Sequence, residues 1–369
     1  VRSEQMLTPI IRRLIRQSPE QCISFENYME QCLYHPEYGY YMNAKEKIGR
    51  SGDYYTSSAI GGLLGEVLAD YVVNQADTFG SDEPVTVVEW GGGTGDMARQ
   101  LLDQMKSEHP AVYRRLSFIS VETSVYHRTH QRRSFAGHLN RVSWLTEQDW
   151  LQQGPWENVI VLSNELLDAF PVHRVQFEKG QLLEIWVQWN DADKCFSERL
   201  MPIPSGPLQE YVRRLSLDVM EGQQLEVNLA ADAWLRRIGN AIARGQVVTI
   251  DYGDRADELI APHRMNGTLI CYRRHLAHDD PYFEPGSQDI TSHVNFTDLI
   301  RAGLAVGLQP SEFLTQKQFL VHNGLLQKLQ DTLSQDPFSP AARRNRAIRQ
   351  LLLSDQMSEL FKVLIQIKR

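Results

Sequence analysis

The sequence predicts an α/β protein with a mostly parallel sheet covered by helices on both faces. Three observations predict it. Five short runs of strand character alternate with helical stretches between Val85 and Asp251, the pattern of strands buried on both sides. A glycine triplet, Gly91, Gly93 and Gly95, stands directly between the first run and its helix. The 369 residues are 42% apolar and 23% charged, which suffices for a core of about two domains.

The elements follow in order. Ile10-Ile11 and Leu14-Ile15 give Val1 to Arg16 the spacing of an amphipathic helix. Ser24 is a good N-cap for a second helix. Tyr34 to Tyr41 is aromatic and punctuated by Pro36 and Gly39, so it reads as a loop, as does Gly49 to Ser57. A helix from about Ile60 to Val73 precedes the strands. Those are Val85–Glu89, Leu116–Glu122, Val142–Leu145, Asn158–Glu165 and Gln246–Asp251. Between the fourth and fifth lie a hairpin, Val172–Phe177 with Leu182–Trp189 across Lys179-Gly180, and a helix near Leu208–Met220. From Gln316 the chain reads as helical and more basic. The expected partition is therefore a helical cap (1–80), a first core segment (81–175), an inserted hairpin-plus-helix subdomain (176–230), a second core segment (231–315) and C-terminal helices (316–369).

A formal charge of −8 and a pI near 5.8 argue against a dedicated nucleic-acid binder, which needs positive charge to displace counterions from phosphates. No stretch reaches the ~18 apolar residues of a membrane span. The four cysteines are scattered and form no CxxC, so a reducing cytoplasm is the expected setting. His275, His278, Asp279 and Asp280 lack metal-site spacing, and no metal is expected. Oligomeric state is left open.

The glycine loop says most about chemistry. Its neighbours Glu89 and Asp96 would confront a pyrophosphate with carboxylates and no basic residue, and no Walker pattern is present. S-adenosylmethionine reverses that demand, because it brings a sulfonium and an amino group. Glu122, at the tip of the second strand, is placed to accept ribose hydroxyls. Asp149 and Trp150, after the third strand, are candidates for holding the adenine; a surface acid beside a buried ring is the alternative.

These residues resemble a known family. GDYYTS at Gly52–Ser57, the loop from Glu89 to Gly95, SNELLDAFPVHR at Ser163–Arg174, IDYG at Ile250–Gly253 and DITSHVNF at Asp289–Phe296 together resemble the MidA proteins. The likeness runs from about Ser24 to Phe319. Trp90 and Gly92 stand where that family commonly has Leu and Pro. The resemblance implies a Rossmann-like class I methyltransferase sheet of seven strands with helical additions. It also implies S-adenosyl-L-methionine as cofactor, Asp53 closing over it with Asn164 alongside, and protein arginine as the acceptor in a mitochondrial member.

Reacting groups in such a sheet lie at the carboxyl ends of the central strands. Glu165 and Asp168 would share a face if a helical turn began there, and two carboxylates suit a guanidinium fork. His293 is a candidate proton acceptor or substrate contact. The expected activity is methylation of a protein arginine side chain. A small-molecule O- or N-methyltransferase and a cofactor-binding assembly protein without turnover are the alternatives.

Overall fold

The computed structural model describes residues 3–43, 62–215, 219–331, 336, 338–353 and 359–369. The chain forms two compact units, each assembled from separated segments. One contains Val1–Tyr54, Leu167–Trp234 and Gly253–Leu299; the other contains Tyr55–Leu166, Leu235–Tyr252 and Ile300–Arg369.

The second unit holds the main sheet. Its strands, in chain order, are β1 (Val85–Trp90), β2 (Leu116–Val121), β3 (Val142–Leu145), β4 (Trp156–Asn164), β5 (Ile242–Asp254, its last two residues falling in the other unit), β6 (Gln309–Thr315) and β7 (Phe361–Lys368). They lie side by side as β3-β2-β1-β4-β5-β7-β6. β1 to β5 are mutually parallel, whereas β7 runs antiparallel to both β5 and β6. The chain starts in the middle of the sheet, moves to one edge and then returns to the other side, so the β1 and β4 carboxyl ends flank the switch point where ligands bind.

Burial explains the strands. Val159 to Ser163 in β4 are all buried, as a central strand covered on both faces requires. Leu64, Val67 and Leu68 of helix Leu63–Phe79 share a core with Leu101, Phe118, Ile160 and Val248. Helix α1 (Asp96–Glu108) follows β1. Helix α2 (Val125–Ser134) follows β2 and is capped by Ser124, while α3 (Glu147–Gln153) follows β3.

The other unit is built on an antiparallel sheet. The expected hairpin is present as His173–Glu178 paired with Gln181–Asn190, and Cys195–Pro202 extends it. Gln224–Val227 pairs with the first strand of the hairpin, and Ile23-Ser24 pairs with Trp186 and Val187 of the second. Leu7, Ile11 and Ile15 of the first helix therefore share a core with Tyr28, Val187 and Phe196. This differs from the linear partition, because the first 54 residues cluster with the inserted sheet rather than standing alone as a cap. A two-residue strand, too short to be read from sequence, makes that link.

The C-terminal expectation also needs correction. Helices Gln316–His322 and Pro340–Leu353 are present, but the chain ends in β7, whose central residues Val363 to Gln366 are all buried. An apolar run that short fits a strand or a helix equally well until its neighbours are known. Among the described residues no helix is long and apolar enough to cross a membrane.

Candidate cofactor and active site

β1 ends in the glycine loop. Gly91, Gly93 and Gly95 all have positive φ (67°, 52° and 83°), so the backbone enters the left-handed region three times before α1 begins. A Cβ on Gly95 would stand 2.8 Å from the ring of fully buried Phe135. The loop is tied down from below by α2. Gln131 donates from Nε2 to the Gly93 carbonyl (2.9 Å), and its Oε1 accepts from Ser120 Oγ and Trp144 Nε1. Gln131 was not singled out from the sequence, since an uncharged residue far along the chain carries no motif signal.

The acids gather at this edge. Glu122 is 8% exposed and accepts from the Gly93 amide (3.1 Å) and the Ser124 amide (2.8 Å). Glu89 is 2% exposed, and burial, then the charges of Glu122 and Asp96, pushes its carboxyl up to about 8. Its Oε2 has no hydrogen-bond partner and lies where a Cβ on residue 92 would be. Gly92 thus gives the Glu89 carboxylate room that a proline at this position would fill. On the neighbouring strand Asn164 Oδ1 also lacks a donor. Two buried acceptors at the carboxyl ends of adjacent strands call for a ligand carrying donors and positive charge. The ammonium and sulfonium of S-adenosyl-L-methionine fit; a phosphate does not.

Asp149 and Trp150 are placed differently from the adenine expectation. Asp149 completes a capping box with Thr146 at the start of α3, its Oδ2 accepting from Thr146 Oγ1 (2.6 Å). Trp150 is fully buried, stacked on Trp156 at 5.5 Å and meeting the edge of Trp90 at 5.0 Å. Neither of its faces is open to an adenine. The same cluster accounts for Trp90. Asp53 lies outside the described residues.

At the end of β4 no helical turn forms, which corrects the premise that Glu165 and Asp168 share a helix face. Glu165 takes a left-handed backbone (φ 50°), its amide donating to the Ile250 carbonyl (2.9 Å) and its Oε1 accepting from Asn164 Nδ2 (3.2 Å). The next amide, Leu166, donates to Asp251 Oδ2 (3.2 Å), and Asp251 is fully buried. An acid in this backbone region costs about 1–3 kcal/mol and recurs at functional sites. Asp168 belongs to the other unit, is 5% exposed, and accepts at its carbonyl from the Ser292 amide (2.9 Å). His293 follows Ser292. Its amide donates to Thr268 Oγ1 (3.0 Å), and its side chain lines a pocket with Glu226, Thr268, Asn295 and Tyr211.

Known proteins bear on this site. Residues 67–314 match a family described as "putative S-adenosyl-L-methionine-dependent methyltransferase". Among curated relatives, a Drosophila melanogaster protein named protein arginine methyltransferase NDUFAF7 homolog, mitochondrial, is 28% identical over 74% of this chain, which spans 65% of that protein's length. The Danio rerio NDUFAF7 is 24% identical over 98% of this chain and 86% of its own. A Burkholderia thailandensis structure bound to S-adenosyl-homocysteine superposes with a TM-score of 0.87 at 30% identity, covering 99% of this chain and 92% of its own. The relatives' mitochondrial names overturn the cytoplasmic expectation. The family match and the full-length fold likeness agree with the acidic, glycine-lined edge, and the chain belongs to this family of S-adenosyl-L-methionine-dependent methyltransferases.

Proposed function

We propose that this methyltransferase acts on an arginine side chain of a protein substrate, with Glu165 holding the guanidinium. The observation that carries the reading is Glu165 itself, a carboxylate fixed in a left-handed turn at the carboxyl end of β4 by the Ile250 carbonyl and the Asn164 amide. The names of the arginine-methylating relatives support the acceptor class.

Bound S-adenosyl-L-methionine supplies an electrophilic methyl group on sulfur. Glu89, Glu122 and the glycine-loop amides would hold it, with Asn164 offering its open oxygen. The protein's remaining task is alignment. An arginine is almost never deprotonated at neutral pH, so a carboxylate serves by pairing with the fork and turning one nitrogen toward the methyl group. As the N–CH3 bond formed, the S–CH3 bond would break with its electron pair left on sulfur, giving S-adenosyl-homocysteine, and the nitrogen would shed a proton for which the Glu165 carboxylate is the acceptor. Asp168, mostly buried, is proposed to contact the substrate, and His293 is assigned to substrate contact rather than proton transfer.

Glu165→Gln should lower methyl transfer about 100-fold or more while leaving S-adenosyl-homocysteine affinity within about twofold. Radiolabelled methyl transfer into protein extract, with acid hydrolysis to methylarginine, checks both the acceptor and the variant. Label confined to small molecules, or no label despite tight cofactor binding, contradicts the reading.

A further inference from the structure

The His293 pocket has a composition that the methyl-transfer site does not use. Leu225, Val227, Leu259 and Ile260 form its apolar wall, and Glu226 is its one acid. The Glu226 carboxylate is placed with care. Its Oε2 accepts from both the amide and the hydroxyl of Thr268, at 2.8 and 2.9 Å. It lies against Gly267, where any Cβ would overlap Oε1, and Gly267 has φ +72°. Oε1 itself is buried and has no hydrogen-bond partner.

The nearest cation feels the Glu226 charge but does not bond to its open oxygen. Arg174 stands opposite Glu226 in the strand ladder, but its guanidinium donates to Glu198 and to Gln224 Oε1. The hydroxyl of the pocket residue Tyr211 is held by Asp298, to which it donates at 2.7 Å. An unfilled carboxylate oxygen beside an aliphatic wall matches a long apolar stem ending in donors.

We propose that this pocket is a subsite for a basic side chain of the protein substrate, with the stem against Leu225, Val227, Leu259 and Ile260 and the cationic head at Glu226 Oε1. It rests on the peptide-substrate reading above, and it extends that reading: the preferred substrate carries a second basic residue besides the methyl acceptor.

Calorimetry on the full chain without methyl donor tests it, using Nα-acetyl-arginine amide and its neutral isostere Nα-acetyl-citrulline amide. A Glu165→Gln, Asp168→Asn background removes the contribution of the acceptor-side carboxylates. The arginine probe should bind at least about tenfold more tightly than the citrulline probe. Adding Glu226→Gln should erase that preference, and adding Ile260→Trp should abolish binding of both probes. S-adenosyl-homocysteine affinity in each variant controls for folding. Equal binding of the two probes, a preference that survives Glu226→Gln, or no binding of the arginine probe overturns the subsite. The two readings fail separately. Methylarginine formation with Glu226-insensitive probe binding sinks the subsite alone, whereas Glu226-dependent binding without methylarginine sinks the acceptor assignment alone.

Discussion

Two strand ends of the same sheet contrast in how their geometry is set. Where β1 becomes α1, the backbone path is set by residues of the turn, three glycines at positive φ with Glu89 folded over Gly92, and Gln131 and Glu122 brace it afterwards. Where β4 ends, the turn is shaped from afar. The Ile250 carbonyl and Asp251 carboxylate of β5, some 85 residues on, accept the Glu165 and Leu166 amides. The first kind of site is written locally and reads directly from spacing; the second depends on strand register and does not.

The most severe way to break the first turn is Gly95→Val. It combines a left-handed backbone with a Cβ 2.8 Å from Phe135, and α1 would have to shift. S-adenosyl-homocysteine affinity should fall by about 100-fold or more in calorimetry. Near-normal binding would mean the loop does not form the cofactor site.

A subtler probe uses protonation. Glu89, pushed up to about 8 from an ordinary 4.5, stays protonated when the unfolded chain has already ionised. It therefore contributes stability below pH 4.5 that is lost as pH rises through about 8. A cationic ligand favours the ionised form, so binding expels a proton between those pH values. Cofactor affinity should accordingly rise by up to tenfold per pH unit toward 8 and then level off. Gly92→Ala, which displaces the carboxylate from its buried position, should move that plateau to lower pH. A flat profile in the unaltered protein would remove Glu89 from cofactor binding.

The smallest effect is expected at Asp149. As a helix-capping residue, Asp149→Ala should cost about 1 kcal/mol in denaturant unfolding and leave cofactor affinity unchanged. A large loss of affinity would restore the adenine role that its capping geometry argues against.

The same contrast explains what was legible in the sequence. β1 to β5, the glycine loop and the acids Glu89 and Glu122 announce themselves through β-branched runs and spacing, and the structure places them together. The N-cap at Ser24 was also legible, accepting from the Asn27 amide at 3.2 Å. β6, β7 and the grouping of the first helices with the inserted sheet were not, because each depends on pairing with distant segments. The presumed helical turn at Glu165 failed for the same reason: β5 claims its backbone amides. Trp150 is the instructive case on the other side. Its position after β3 suggested a ligand contact, but Trp90 and Trp156, from two other strands, enclose it.

The central claim is that buried acceptors at the β1 and β4 ends select a cation and reject phosphate. Isothermal titration of the purified protein with S-adenosyl-L-methionine, S-adenosyl-homocysteine, NAD and ATP under one set of conditions tests it directly. The account predicts saturable binding of the first two, with proton release near neutral pH, and no detectable binding of NAD or ATP. Tight binding of either phosphate-bearing ligand, with the sulfur compounds ignored, would contradict it.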